Sequence, residues 1–259
     1  LLSIEFQGNM LTGSIPEDYF NQTSTSLNSF NVGDNLLIGT IDTRIGLMSD
    51  LKGLFFFENN FKGAFPTEIG KLNYLAYTRF NGNEFTGNLP TQFGQLVQLN
   101  ELWSHENLFT GPIPSQLGSL MKMRELRLWG NQLVGTIPDE LYNLKKLFRL
   151  SVREMALTGT LSTLVGQLSE LTQIKVSTNQ LTGTIPSEIR NLRKLRLAWL
   201  HLNLFTGSMP DVVCNNVGPG LLEFLQADCF PTEDPPNPCR CCSACCNRDD
   251  GVCLLADSG

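Results

Sequence analysis

Apolar residues recur along most of this chain in one fixed frame, LxxLxxLxLxxNxLxGxIPxxLxxL. One copy runs Leu120, Met123, Leu126, Leu128, Asn131, Leu133, Gly135, Ile137, Pro138, Leu141, Leu144. The anchoring glycines are Gly13, Gly39, Gly63, Gly87, Gly111, Gly135, Gly159, Gly183 and Gly207. The first step is 26 residues and the next seven are 24. A period of this size marks a stacked repeat architecture. Leu126-Arg127-Leu128 alternates apolar and polar, as a short strand does. The Asn that follows ends the strand, where its amide can bond backbone groups left open by the turn. It recurs as Asn9, Asn35, Asn59, Asn83, Asn107, Asn131, Asn179 and Asn203. Gly and Ile-Pro predict a second extended stretch, and the closing LxxL predicts one or two helical turns on the outer side. No single copy can bury its own leucines, so stacking must make one continuous core.

The motifs LTGSIP (11–16), FTGPIP (109–114), LVGTIP (133–138), LTGTIP (181–186) and FTGSMP (205–210) resemble the plant-type subclass of leucine-rich repeats. The resemblance implies an α/β repeat fold. It is a curved, right-handed solenoid with a parallel sheet on its concave face and a disulfide-rich C-terminal cap. Nine repeats of about 24 residues occupy 1–210, and 211–259 form the cap and tail. Asp42 and Ser162 stand where other copies have Pro, and Met155 replaces the ladder Asn. These departures read as drift on a tolerant scaffold. The first interval holds two extra residues, in FNQTSTSLNSF. Leu1, Ile4, Phe6 and Asn9 already fit the frame, so the N-terminal cap is read as missing and the chain as a fragment, with any membrane anchor outside it.

Net charge is −6, and the imbalance lies in the tail. Residues 211–259 carry two Arg against eight acids, which leaves 17 basic and 17 acidic residues in 1–210. No basic footprint for nucleic acid is present. All eight cysteines lie in the tail: Cys214, Cys229, Cys239, Cys241, Cys242, Cys245, Cys246 and Cys253. An even, clustered count in a Pro-rich segment predicts disulfides and an extracellular setting. Sequence does not choose among the 105 pairings of eight cysteines, although Cys214 with Cys229 is favoured. Zinc is the competing reading of CRCCSACC, but the spacing is unusual for it and no His is near. No metal or cofactor is therefore expected. The pattern from Ala227 to Cys253 resembles the endings of leucine-rich-repeat proteins of diatoms and related algae. Asn21 begins a glycosylation sequon, placed by the frame on the outer side.

In each strand the residues flanking the core pair point outward, which defines three columns. The position between the core residues gives Glu5, Asn31, Phe55, Arg79, Trp103, Arg127, Ser151, Lys175 and Trp199. The position after the second gives Gln7, Gly33, Phe57, Asn81, His105, Trp129, Arg153, Ser177 and His201. The position before the first includes Tyr77, Glu101, Glu125 and Arg149. All three tryptophans and both histidines fall in two outward columns. Trp, Tyr and Arg are enriched in binding hot spots, and solvent-facing Trp has no core-packing reason to be there; the alternative is that aromatic side chains on adjacent strands pack on each other and stabilise the sheet. We therefore expect a ligand-binding face of Phe55, Phe57, Tyr77, Arg79, Trp103, His105, Arg127, Trp129, Arg153, Lys175, Trp199 and His201, with Arg149 in its basic strip. Flat Trp rings suit sugar faces, and the Arg and Lys strip suits a peptide or protein.

The resemblance implies receptor-like ectodomains that read peptides or steroids, and inhibitors of wall-degrading polygalacturonases. Contact residues do not carry over, because these columns vary between members. Catalysis is not expected, since Ser104 is a core position and an open curve excludes little water. Glu101, Glu106 and Glu125 are the nearest approach to a carboxylate pair. The expected function is an extracellular recognition domain for a protein, peptide or wall polysaccharide. A structural or adhesive scaffold and an enzyme inhibitor are the alternatives.

Overall fold

In a computed structural model, residues 2–21, 26–215, 222–228, 242, 244–246 and 253–255 are described. Three residues of each repeat form a concave strand, a core residue that faces the stack between two that face the concave side. These strands are Ser3–Glu5, Ser29–Asn31, Gly53–Phe55, Tyr77–Arg79, Glu101–Trp103, Glu125–Arg127, Arg149–Ser151, Gln173–Lys175 and Leu197–Trp199. Each pairs in parallel with the next in sequence order. Phe224–Asp228 adds a tenth parallel strand. Ala244–Cys246 follows in parallel and Cys253–Leu255 closes the sheet antiparallel.

The stretch leading into each repeat Gly, ahead of the Ile-Pro, forms a second, seven-stranded parallel sheet from Thr12–Gly13 to Ala156–Leu157, and Thr182–Gly183 pairs with Leu204–Phe205 beside it. The outer turns are 3-10 helices, such as Ser115–Ser119 and Asp139–Asn143. They stack closely: a Cβ on Gly118 would lie 2.4 Å from the Glu140 carbonyl oxygen. Most of these turns start after a Pro that offers no side-chain cap. The two departures from Pro have a physical reason that drift does not supply. Asp42 accepts from the Arg44 N–H, and Ser162 from the Leu164 N–H, so each caps its own turn.

The core is one continuous stack of buried Leu, Ile, Val and Phe. Phe20, Phe30, Phe56, Phe61, Phe65, Phe80, Phe85, Phe93 and Phe109 form a run of ring contacts with centroids 4.5 to 6.4 Å apart. Each fully buried ring contributes about 2–3 kcal/mol. Beside them runs the Asn ladder. Asn107 Oδ1 accepts from the Phe85 N–H at 3.0 Å. Its Nδ2 donates to the carbonyls of Phe80, Ser104 and His105. The pattern repeats at Asn59, Asn83, Asn131, Asn179 and Asn203.

The two ends differ. Leu2, Phe6, Met10 and Leu11 are exposed at the first repeat. At the last, the Asp228 carboxylate accepts from the Leu202 and Asn203 N–H groups at 2.6 and 3.2 Å. Elsewhere those N–H groups bond carbonyls of the next repeat, as Glu106 and Asn107 do with Trp129 and Gly130. Cys214, in the short helix Asp211–Cys214, and Cys242 are both disulfide-bonded. Cys229, Cys239 and Cys241 lie outside the described residues, and with them the Cys214–Cys229 pairing. Cys245, Cys246 and Cys253 lie in the terminal strands. Asn21 ends the helix Asp18–Asn21, and its side chain and the rest of the sequon are outside the described residues. Among the described residues no helix is long and apolar enough to cross a membrane.

Candidate functional site

Strand register turns the outward columns into rows of neighbours. Phe55 pairs with Arg79, Arg79 with Trp103, and Trp103 with Arg127. Arg127 pairs with Ser151, Ser151 with Lys175, and Lys175 with Trp199. The expected binding residues therefore share one face. Phe57 lies across Gly33, where a Cβ would be 2.4 Å from its ring, and Tyr77 is exposed.

The tryptophans are not open platforms: they pack against side chains of neighbouring strands, as the cross-strand alternative has it. The Arg79 and Arg127 guanidiniums each sit 3.8 Å from the Trp103 ring centre. They come from strands on opposite sides of Trp103 and so cover both its faces. Trp129 stacks on His105 at 4.6 Å on one side and takes Arg153 at 3.9 Å on the other. Trp199 carries Lys175 at 3.9 Å. The face is a ladder of alternating cations and aromatic rings, each contact worth about 0.5–2 kcal/mol. All three rings are half-buried. His105, expected to point outward, is only 7 % exposed because Trp129 covers it.

The acids of the face are already engaged. Glu125, itself buried, accepts from Arg127 at 2.6 Å and from Arg149 at 2.9 Å through one oxygen. Arg79 bonds Glu101 at 2.8 Å. Glu101 and Glu125 thus hold guanidiniums in place rather than standing as a paired acid and base. Burial lowers the His105 pKa to about 4, with Arg127 and Arg153 adding to the effect, so the ring is neutral at pH 7. Burial first, then Arg153, Arg149 and Arg127, lowers that of Lys175. His201 is also lowered, chiefly by burial.

Several buried polar atoms of this face have no hydrogen-bond partner among the described residues. They include Trp103 Nε1, His105 Nδ1, Ser151 Oγ, Trp199 Nε1 and His201 Nδ1. Buried polar groups are normally paired, so their concentration here singles out the concave face. Ser151 was absent from the expected site residues. Its signal was a small residue in a column of large ones. Among the described residues no group of three His, Cys, Asp or Glu is placed to hold a metal.

The Leucine Rich Repeat family profile matches residues 122–144 and 170–192. Solved structures agree with the geometry. This is a leucine-rich-repeat solenoid. It is similar to the ectodomain of the plant membrane receptor kinase GASSHO1/SCHENGEN3 from Arabidopsis thaliana, solved in complex with CASPARIAN STRIP INTEGRITY FACTOR 2. Identity is 32 %, TM-score 0.82, with 88 % of this chain and 26 % of that one covered. It is also similar to the ectodomain of the Arabidopsis receptor kinase HAESA, in complex with an IDA peptide hormone ligand. There identity is 27 %, TM-score 0.78, with 87 % and 37 % covered. A leucine-rich-repeat protein of Leptospira interrogans aligns at 28 % identity and TM-score 0.68, with 88 % and 60 % covered. The solenoid thus spans about a quarter to three-fifths of the length of these chains. No curated protein sequence matches it significantly.

Proposed function

We propose that the solenoid is an extracellular recognition domain whose concave face binds a protein or peptide. The observation that carries this is the cation and aromatic ladder with its unpaired buried polar atoms. The buried N–H groups of Trp103 and Trp199 have no partner among the described residues, and Arg79, Arg127 and Arg153 keep further donors beyond their present contacts. An extended chain laid along the columns offers carbonyls and side chains to such donors. The two plant ectodomains similar to this chain were solved in complex with binding partners, one of them a peptide hormone. A wall polysaccharide is disfavoured by the geometry. Sugar rings stack on bare aromatic faces, whereas both faces of Trp103 carry guanidiniums and both faces of Trp129 are covered. The motifs of the plant-type subclass, the cysteine-rich tail and the Asn21 sequon fit a secreted glycoprotein.

The test compares the wild-type domain with Trp103→Ala/Trp129→Ala, both immobilised and exposed to extracellular extract and to wall polysaccharide. Retained material is identified by mass spectrometry, and folding is checked by circular dichroism. Protein or peptide retained by wild type and lost from the folded variant supports the reading. Equal retention by both, or none by either, sinks it and favours a structural role. Tryptophan-dependent retention of polysaccharide would replace the peptide partner with a glycan.

A further inference from the structure

Charge is sorted across the solenoid rather than scattered over it. Two rims border the concave sheet, one formed by residues just before each strand and one by residues just after it. The first rim is the four residues that end eleven before each repeat Gly, and it carries eight bases, Lys122, Arg124, Lys146 and Arg193 among them, against the acids Asp50 and Glu170. The second rim is the three residues that begin five before that Gly, and it carries Asp34, Glu58, Glu84, Glu106 and Glu154 with no base. Backbone bonds hold each rim in line. The Arg124 N–H donates to the Asn100 carbonyl at 2.8 Å and the Phe148 N–H to that of Arg124 at 2.9 Å, and the run extends from Lys52 to Arg196. On the other rim the N–H groups of Asp34, Glu58, Glu106 and Glu154 donate to the next repeat at 2.7 to 3.0 Å.

Most of these charges are not neutralised within the solenoid. Among the described residues the side chains of Arg124, Lys146 and Arg193 have no hydrogen-bond or ion-pair partner. Those of Lys122 and Lys145 bond only neutral oxygens, on Gln98, Gln167 and the Tyr142 backbone. Lys194 and Arg196 pair with Glu170 and Glu223. Of the five acids on the other rim, only Glu154 is salt-bridged among the described residues, to Arg153. Burial, then the charge of Glu106, raises the Glu58 pKa, so these acids repel one another across repeats. Each rim also exposes large apolar side chains. They are Tyr74, Val97 and Met121 on the basic rim, and Leu36, Leu108 and Leu204 on the acidic one.

We infer that a second copy of this chain docks beside the first, the basic rim of one copy against the acidic rim of the other. Seven of the eight bases lie in the sixth to ninth repeats and four of the five acids in the second to fifth, so the copies pair staggered along the solenoid axis. Strand spacing sets both rims, so they share one period. Exposed ion pairs are worth little singly. The apolar side chains supply the buried area, while the charges fix orientation and register. The overall charge favours a copy over a polyanion. The chain carries −6 in all, so an anionic membrane or polymer meets net repulsion. A copy instead meets a solenoid of 17 bases and 17 acids with a complementary rim. Contacts between unlike patches leave both outer rims open, so further copies add in a row. The concave face stays free, and the pairing does not depend on what that face binds.

Sedimentation velocity is run on wild type, Lys146→Glu/Arg193→Glu and Glu84→Lys/Glu106→Lys, up to about 0.1 mM protein. Salt is set at about 0.01 M and about 1 M, where the Debye length is about 30 Å and about 3 Å. All four side chains are exposed, and circular dichroism checks that the variants fold. Wild type should associate at low salt, with its apparent Kd rising about tenfold or more at high salt. Each variant alone should lose that association, because one of its rims no longer complements the other. An equimolar mixture of the two variants should associate again, since one supplies an intact acidic rim and the other an intact basic rim. The inference is overturned if wild type stays monomeric throughout, if salt leaves its association unchanged, or if the mixture stays monomeric. Association retained by Glu84→Lys/Glu106→Lys alone also overturns it, and makes the acidic tail the occupant of the basic rim.

Discussion

Replacing Asn107 by Ala separates the ladder's contribution from that of the leucine stack. Asn107 makes four bonds, and they are not equivalent. The three carbonyls it serves each keep another donor. Phe80 O still accepts from Asn83, Ser104 O from Asn131, and His105 O from the Gly82 N–H. The Phe85 N–H has no such reserve: its acceptor is Asn107 Oδ1, and it lies beside a fully buried ring. A buried donor left unpaired costs about 1–3 kcal/mol, and three weakened carbonyl bonds add a few tenths each. We expect Asn107→Ala to destabilise the domain by about 2–4 kcal/mol. Asn9 is the internal control. It occupies the same repeat position but is exposed, and its side-chain amide donates to Phe6 O and Gln7 O within its own turn. Asn9→Ala should cost under about 1 kcal/mol. Urea denaturation followed by far-UV circular dichroism reads both variants as midpoint shifts at constant slope. Equal losses in the two variants would refute the argument, because the ladder would then act through local turn geometry rather than across repeats.

Two further outcomes follow from the same geometry. Thr178 is exposed and β-branched yet sits at φ 56°, in the left-handed region. Thr178→Gly should therefore stabilise the domain by about 1 kcal/mol in the same denaturation assay, and a loss would show that the strain is absent. His105 takes up a proton in the unfolded chain near pH 6.5 but in the folded one only near pH 4. The unfolded state holds more protons between those values. Stability present above about pH 6.5 should fall by up to about 3 kcal/mol as pH drops to about 4. His105→Gln should flatten most of that slope and leave the smaller part due to His201. Asp42, lowered to about 2 by its bonds to Arg44, acts in a separate window below about pH 3.8. An unchanged slope in His105→Gln would place the titration elsewhere.

The fold was legible because a parallel stack converts period into register. With 24 residues per repeat, Arg127 must lie beside Trp103 and Ser151, and it does. The outward columns were legible for the same reason. What those side chains do to one another was not. A column lists neighbours, but it does not say that Arg79 and Arg127 will lie over opposite faces of one indole. Nor does it say that Glu125 will take two guanidiniums on one oxygen, or that Trp129 will close over His105. Those outcomes depend on rotamers chosen jointly across three strands, and pattern carries no information about them. The caps at Asp42 and Ser162 were readable from residue type alone, since both accept from a helix N-terminus where Pro offers nothing.

The ladder and the recognition columns are one structure rather than scaffold and decoration. Each ladder Asn donates to the carbonyl two residues before it, and that residue is the outward one of the second column: Phe57, Asn81, His105, Trp129, Ser177, His201. The amide therefore clamps the backbone from which the recognition side chain projects. Where Met155 replaces Asn, the residue two before it is Arg153. Its carbonyl accepts from the Gly130 N–H at 3.3 Å, and no ladder amide reaches it. Arg153 is also the cation that caps Trp129 and lies 5.7 Å from the Trp199 ring centre. The one break in the ladder thus falls under a side chain that reaches two of the three tryptophans. A substitution that reads as drift along the sequence is, in the folded stack, the removal of a clamp beneath the most charged part of the concave face.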